Sequence, residues 1–215
     1  MLFSQLFTDP IVFFIQTFVL VYAITIHEFA HVLSAKLQGD DTGEQLGRLT
    51  LNPLAHLDPI GTLLIFFIGF GWGKPAPYNP NHLSDRKWGP VWVGLSGPLS
   101  NILSGVVFAY IARFLVLFGL VSATSPVIFF FYLLSLLNFA FTFFNLIPIP
   151  PLDGSKLLLA LIPDSQYKLK HALETRGNVL FIFLMMISIA SGLHIFGFIW
   201  TLGEMLTRAF VGFGA

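Results

Sequence analysis

Cysteine is absent from this chain of 215 residues, and charged side chains make up only 10% of it. The lack of cysteine excludes disulfides, thiolate metal ligands and cysteine nucleophiles, so a metal site would have to use His, Asp or Glu. Soluble domains carry about 25% charged residues, and a chain with so few cannot cover its surface with charge. Because 55% of the residues are hydrophobic and 25 are Phe, most side chains are expected to face lipid or one another. The composition therefore predicts a helical membrane protein.

Several other features are missing as well. The net charge is zero, so we expect no surface suited to a nucleic acid. Residues 1–10 contain no Lys or Arg, and no small-residue cleavage site follows the apolar run, so a cleaved signal peptide is not expected. We find no internal repeat and no soluble appendage. These absences predict one integral membrane domain over residues 1–215.

Apolar segments alternate with polar ones along the chain. Three apolar segments are long enough to span a bilayer: residues 11–37, 91–121 and 127–147. The others are shorter or mixed: residues 59–72, which read as a re-entrant or tilted piece, residues 179–193, and the final stretch to residue 215. The pattern predicts an all-α polytopic membrane protein with roughly five to six membrane segments. The weak alternation of residues 47–53 also predicts a short β element.

Basic residues are distributed unevenly between the connecting regions. Residues 39–90 and residues 156–178 hold four Lys or Arg each, whereas residues 1–10 and the turn at 119–126 hold none. By the positive-inside rule, both basic regions and the short β element face the cytosol. The cytosolic ends of the first and third long segments then lie at the same membrane depth, although they are far apart in the sequence.

A metal-binding pattern lies in the first long segment, where residues 27–31 read His-Glu-Phe-Ala-His. His27 and His31 are four residues apart and so share one face of a helix, where two imidazoles can bind one zinc ion. Glu28 lies close enough to accept a proton from a zinc-activated water. In a chain of this composition chance gives about 0.003 such matches, and ionisable groups in an apolar helix are costly unless they are paired or functional. The pattern therefore predicts zinc binding.

A catalytic zinc needs a third protein ligand. Six residues are candidates: His56, Asp58, His82, Asp153, His171 and His194. Asp153 is favoured because it follows the third long segment at the depth predicted for His27 and His31, although an Asp before Gly is also typical of a turn. His56 is the rival, and its alternative role is that of a loop histidine bonded to the backbone.

Asn145 lies near the cytosolic end of the third long segment, where a buried amide must find partners. One interpretation is a hydrogen bond between helices. The other is a side-chain donor directed at the carbonyl oxygen of a substrate. The same two roles are open for Asn101 and Asn138, and for these residues the hydrogen bond between helices is favoured.

Three stretches together resemble the site-2 protease family of intramembrane metalloproteases: residues 27–31, residues 97–101 (Gly-Pro-Leu-Ser-Asn) and residues 145–154 (Asn-Leu-Ile-Pro-Ile-Pro-Pro-Leu-Asp-Gly). Residues 48–61 and 74–77 are similar to the compact prokaryotic subgroup that lacks a PDZ domain. The resemblance spans about residues 11–154, and we expect a catalytic core over about residues 11–162.

The resemblance implies that Asp153 is the third zinc ligand and that Asn145 is catalytic or contacts the substrate. The implied activity is that of a zinc-dependent endopeptidase with one Zn²⁺ per chain, which hydrolyses a peptide bond in or near a transmembrane segment with Glu28 as general base. The expected partners are the lipid bilayer and single-span or other membrane protein substrates. The expected location is the prokaryotic cytoplasmic membrane, with the active site toward the cytosol.

A non-proteolytic zinc-binding membrane protein or a metal-ion transporter is the alternative. Ion pathways also place ionisable residues in membrane spans. A transporter, however, has no need of a Glu between two His at this spacing, and we would expect its metal-binding residues to be spread over several helices. The substrate and the oligomeric state are left open.

Overall fold

The computed structural model describes residues 2–68, 71–191 and 195–212, and every named element in these ranges is helical. The α-helices are α1 (Leu2–Thr8), α2 (Pro10–Leu37), α3 (Thr42–Gln45), α4 (Pro59–Ile68), α5 (Gly89–Leu117), α6 (Pro126–Asn145), α7 (Gly154–Leu161), α8 (Tyr167–Ser191) and α9 (Gly197–Val211). Two 3₁₀ turns, Pro53–Ala55 and Asp164–Gln166, lie between them.

Three of these helices, α2, α5 and α6, are long and apolar enough to cross a membrane. Each begins with a proline in its first turn, where the missing N–H costs no helical hydrogen bond. The side chains of Asp9 and Ser125 cap α2 and α6 by accepting hydrogen bonds from the first-turn amides. The predicted all-α polytopic membrane fold is thus confirmed, whereas the count of roughly five to six membrane segments is not.

Helix α5 packs between α2 and α6 through small and polar residues. Gly105 lies against the Phe139 ring so closely that a β-carbon there would approach the ring to 2.9 Å. Ser104 is hydrogen-bonded to Tyr22 of α2 at 3.2 Å. Small residues of this kind let membrane helices approach closely, and they bring the polar residues of the three helices into one layer.

The segment over residues 59–72 turns back within the protein. Helix α4 is about 15 Å long, half the thickness of the hydrocarbon core, and the chain returns so closely that a β-carbon on Gly61 would lie 2.1 Å from the Trp72 carbonyl oxygen. An isolated antiparallel bridge joins Leu57 to Gly73. How this segment lies in a membrane, as a re-entrant or tilted piece, stays a prediction, and residues 69 and 70 of the segment lie outside the described ranges.

The short β element predicted over residues 47–53 is not confirmed. Gly47 has a positive φ of 68°, and Pro53 begins a 3₁₀ turn in which the Asn52 side chain accepts a hydrogen bond from Leu54 N. Both features bend the backbone away from a strand. The buried Arg48 instead donates hydrogen bonds to the carbonyl oxygens of Lys74 and Pro75 and so attaches this region to the segment after the α4 turn.

The C-terminal helices complete the fold. Helix α9, with 15 residues, packs on α6 and α5 and buries Gly203, Thr207 and Val211. Helix α8 is attached differently, since its Phe181 ring contacts the rings of Phe144 and Phe196. Residues 179–191 of the predicted apolar stretch thus form the second half of α8, which continues a charged first half, and residues 192 and 193 of that stretch lie outside the described ranges.

Candidate metal centre

His27 and His31 lie one turn apart on the buried face of α2. Only 3% of His27 and 7% of His31 is exposed, and the two rings meet edge to face with their centroids 4.5 Å apart. The spacing of the pair follows from the helix repeat. Gly97 of α5 provides the room that the two rings need, because a β-carbon there would lie 2.6 Å from ring atoms of both.

Asp153 reaches the same point from the other end of the chain. It follows α6 and a proline-rich turn, and it is the residue immediately before α7. Its Oδ2 atom lies 3.0 Å from His27 Nε2 and 3.3 Å from His31 Nε2. The following Gly154 is required here, since a β-carbon on it would lie 2.2 Å from the Leu146 carbonyl oxygen. The glycine therefore lets the start of α7 lie close against the residue after α6, and the Asp153 carboxylate is directed at the two histidines.

The far ring nitrogens of both histidines are engaged by acceptors. His31 Nδ1 lies 2.6 Å from the Val93 carbonyl oxygen, and His27 Nδ1 lies 2.7 Å from Asn101 Oδ1. A carbonyl oxygen can only accept, so in each ring Nδ1 carries a proton, and Nε2 is the nitrogen that faces Asp153. This is the tautomer in which an imidazole binds a metal through Nε2.

The converging atoms suit a zinc ion. The three ligand atoms all lie within 4.8 Å of one another. Asp153 Oδ2 is buried and has no hydrogen-bond partner among the described residues, although it lies close to both Nε2 atoms. Two imidazole nitrogens and one carboxylate oxygen form a known ligand set of catalytic zinc sites, which keep a fourth position open. The residues present therefore fit the metal.

A cavity of about 780 Å³ opens next to this cluster and is lined by Glu28, Asn145 and Lys156 as well as by apolar side chains. Glu28 Oε2 is buried and lacks a hydrogen-bond partner within the described part of the chain. Tyr78 also lines the cavity, and burial raises the pKa of its hydroxyl, as does the negative charge of Asp153. The cavity thus brings together an unpaired carboxylate, an amide and a neutral phenol beside the metal-binding atoms.

Asn145 is the last residue of α6 and is 8% exposed. Its Nδ2 donates a hydrogen bond to the Phe141 carbonyl oxygen at 3.0 Å. This bond uses one of the two N–H groups of the amide, so that the other is available for a ligand in the cavity.

The remaining candidate ligands lie elsewhere. His56 is fully buried and its Nε2 is bonded to the Thr50 carbonyl oxygen at 2.7 Å, Asp58 accepts a hydrogen bond from Gly61 N, and His82 pairs with Asp40. His171 is exposed on α8, and His194 lies outside the described residues. The structure groups His27, His31 and Asp153, and it brings none of the other described candidates into that group.

Sequence reasoning did not assign a role at the site to Gly97, the Val93 carbonyl or Lys156. Gly97 belongs to the small-residue pattern of α5, but that pattern does not reveal which residues it faces. A backbone carbonyl leaves no signal in a sequence. Lys156 could have been found from its position, because it lies one helical turn after Asp153.

Comparisons with known proteins place the chain in a family. Residues 118–190 match Peptidase family M50. Two bacterial proteins named "Putative zinc metalloprotease" are similar to it: YwhC of Bacillus subtilis is 35% identical over 80% of this chain and 80% of its own length, and Rip2 of Mycolicibacterium smegmatis is 31% identical over 74% of this chain and 64% of its own. Zinc metalloprotease MJ0392 of Methanocaldococcus jannaschii is 27% identical over 74% of this chain and 38% of its own length.

No solved structure matches the chain. The names of the relatives, all zinc metalloproteases, agree with the metal-binding geometry of His27, His31 and Asp153. The chain belongs to peptidase family M50, the site-2 protease family, and it is a zinc metalloendopeptidase of the membrane.

Proposed function

We propose that this metalloendopeptidase hydrolyses a peptide bond in or near a transmembrane segment of a membrane protein. The observation that carries the proposal is the depth of the site. His27 lies ten residues, or about 15 Å, from the C-terminal end of α2, within a helix apolar enough to cross the membrane. A cluster at this depth is accessible to a substrate segment that is itself in the bilayer.

His27, His31 and Asp153 would hold one zinc ion per chain. Their burial and the acceptors on both Nδ1 atoms keep the two rings fixed toward Asp153. Bound zinc supplies Lewis-acid activation of water and of the scissile carbonyl. Asp153 would offset part of the metal charge in a setting of low dielectric.

Glu28 is the proposed general base. Its buried and unpaired Oε2 is suited to accept a proton from the attacking water, because nothing in the described structure competes for it. The water oxygen bonds to the carbonyl carbon, the C–N bond breaks, and the proton held by Glu28 passes to the leaving amine. The atoms balance without a covalent enzyme intermediate.

Asn145 is the proposed donor to the substrate. Asn145 lines the same cavity as Glu28, and only one of its two N–H groups is used by the bond to Phe141. A donor in a fixed position stabilises the charge that develops on the carbonyl oxygen during attack, and such donors contribute about 3 kcal/mol in other hydrolases.

The substrate would have to unwind before it is cut. In a transmembrane helix each carbonyl is already hydrogen-bonded within the helix, so a local stretch must become extended to reach the zinc site. The cavity next to the site, with its mostly apolar lining, suits such a stretch. Single-span membrane proteins are the simplest substrates of this kind.

The site is proposed to face the cytosol in the prokaryotic cytoplasmic membrane. Eight of the eleven Lys and Arg residues lie in the regions that follow α2 and α6, and these are the ends of the two helices that carry the site. Basic loops stay on the cytosolic side. The relatives named above come from two bacteria and one archaeon.

The substitution Glu28→Gln tests this function. The purified enzyme would be reconstituted in vesicles with a single-span substrate, and cleavage and bound zinc would be measured together. We expect cleavage to fall by at least about a hundredfold while zinc stays near one per chain, because Glu28 is not a ligand. Glu44→Gln, at an exposed position of α3, is the matched control and should keep full activity.

Two outcomes would contradict the proposal. If zinc is lost together with activity, Glu28 has been given the wrong role. If neither the wild type nor the Glu44→Gln control cuts any single-span substrate, the proposed class of substrate is wrong.

A further inference from the structure

A chain of buried hydrogen bonds links the three long helices next to the metal centre. Asn101 of α5 accepts from His27 Nδ1 of α2 at 2.7 Å, and its Nδ2 donates to Asn138 Oδ1 of α6 at 2.8 Å. Asn101 and Asn138 are fully buried, and His27 is 3% exposed. The chain of bonds ends at the Leu134 carbonyl oxygen, to which Asn138 Nδ2 donates at 2.7 Å.

Both amides have only one orientation that satisfies their neighbours. Asn101 Nδ2 also donates to the Ala23 carbonyl oxygen at 3.1 Å. If the amide were rotated by half a turn, its oxygen would face two acceptors, the Ala23 carbonyl and Asn138 Oδ1. The Asn138 amide is fixed in the same way by the Leu134 carbonyl. Because amide orientation is decided by such networks, Asn101 can present only its oxygen to His27.

We propose that Asn101 is a positioning residue that fixes the His27 ring for metal binding, and that Asn138 and the Ala23 carbonyl hold Asn101 in that orientation. The inference rests on the proposed role of His27 as a zinc ligand. An oxygen on Nδ1 keeps a proton on that nitrogen, which leaves Nε2, the nitrogen that faces Asp153, as the one available for a metal. The same contact fixes the rotation of the ring about its bond to the backbone.

A purely structural role for the two asparagines makes a different prediction. Buried amides that only join helices contribute to the stability of the bundle, and their loss would lower that stability without changing the affinity of the folded protein for zinc. A positioning role changes the affinity of the folded protein itself. Loss of an outer partner of a metal-bound histidine typically costs 10- to 100-fold in metal affinity.

The test compares four variants in detergent solution: Asn101→Leu, Asn138→Ala, Ser135→Ala and His27→Ala. Zinc affinity would be measured by competition with a chelator, and the unfolding temperature of the metal-free protein would be measured for each. Ser135→Ala is the matched control, because Ser135 is a fully buried polar residue of α6 that bonds to Thr207 and, within the described residues, has no hydrogen bond to either asparagine. The visible spectrum of the Co²⁺-substituted protein reports the geometry at the metal.

We expect Asn101→Leu to weaken zinc binding by about 10- to 100-fold and to alter the Co²⁺ spectrum. Asn138→Ala should have a smaller effect, roughly threefold to tenfold, since the Ala23 carbonyl still holds one N–H of Asn101. Ser135→Ala should stay within about twofold of the wild type, whatever it does to the unfolding temperature.

The proposal is wrong if Asn101→Leu folds and binds zinc with wild-type affinity and an unchanged Co²⁺ spectrum. It is equally wrong if the affinity losses of all the buried-polar variants simply follow their unfolding temperatures, since that is the signature of packing. His27→Ala separates this failure from failure of the site. If that variant keeps its zinc, His27 is not a ligand and the proposed function must change as well.

Discussion

Gly97 lies directly against His31: a β-carbon on Gly97 would be 2.6 Å from His31 Nε2, the nitrogen that faces Asp153. The same β-carbon would be 2.6 Å from His27 Cε1. Real β-carbons essentially never come this close to another heavy atom. The position therefore has to be a glycine for as long as both rings keep their places.

Gly97→Ala should displace the two histidines and lower zinc affinity by at least about tenfold. The rings cannot yield without losing the contacts of their Nδ1 atoms with Asn101 and Val93. Bound zinc per purified chain, followed during dialysis against a chelator, checks this. Gly105→Ala is the control on the same helix, since it meets Phe139 instead: it should destabilise the protein yet leave zinc affinity near that of the wild type. Equal zinc affinity in the two variants would contradict the argument.

Asp153→Ala should lose most of its bound zinc and nearly all cleavage, because two imidazoles alone leave a catalytic zinc one ligand short. His56→Ala should keep its zinc, since His56 is bonded to Thr50 and lies outside the ligand group. Zinc content, measured on membrane-inserted protein of each variant, decides between them. Metal lost from the His56 variant and kept in the Asp153 variant would overturn the proposed site.

The orientation in the membrane can be tested with reporter fusions at three exposed positions. Reporters at Arg86 and at Asp164 should both read cytosolic, and a reporter at Ala123 should read external. The reason is that the regions around Arg86 and Asp164 hold four Lys or Arg each, whereas the turn around Ala123 holds none. Enzymatic activity of a reporter that works on only one side of the membrane gives the answer. A cytosolic signal from Ala123 would reverse the proposed side of the site.

Asp40 should make stability depend on pH below about 4. Asp40 is 1% exposed. Burial raises the pKa of its carboxyl, but hydrogen bonds from Thr42, Asn79 and His82 together lower that pKa by more, so it ends below the usual range. A depressed pKa stabilises the fold above the unfolded-state value of about 3.9, and that stabilisation is lost as pH falls through the folded-state pKa.

The substitution Asp40→Asn should therefore cost about 1–3 kcal/mol in the free energy of unfolding at pH 7, and the difference from the wild type should shrink as pH falls below about 4. Denaturant unfolding in detergent at several pH values measures both. Asp164→Asn is the control, because its side chain is 87% exposed and its effect should stay within about 0.5 kcal/mol. A difference between Asp40→Asn and the wild type that is the same at pH 3 and pH 7 would show that the carboxylate charge is irrelevant.

The sequence predicted those parts of the site that depend on local geometry or on membrane depth. The His27–His31 pair follows from the helix repeat. The alternation of spans and basic loops favoured Asp153 over His56 as their partner, and the family resemblance strengthened that choice. The Asn101–Asn138 contact depends on how α5 and α6 are rotated against each other, and no local pattern encodes that rotation. For the same reason the neighbour of Gly97 could not be identified beforehand.

The helical class was predictable from the scarcity of charge, but the number of spans was not. Hydropathy measures the apolar length of a segment. It does not detect that α4 ends after ten residues or that Trp72 then lies against Gly61. Alternation over residues 47–53 suggested a strand, yet the left-handed Gly47 and the turn at Pro53 determine the backbone there. In both places the deciding interaction is a turn or a close approach of backbone atoms.

His31 and Asp153 are in contact although they lie more than a hundred positions apart in the sequence. A zinc ion bound by both would therefore close a large loop of the chain and act as a reversible cross-link. Cross-links of this kind stabilise a fold by reducing the entropy of the unfolded chain, and the binding free energy of the metal adds to that of folding. A protein without cysteine has no disulfide for this purpose. The ion that equips the enzyme for hydrolysis would thus also hold α2 to the junction of α6 and α7.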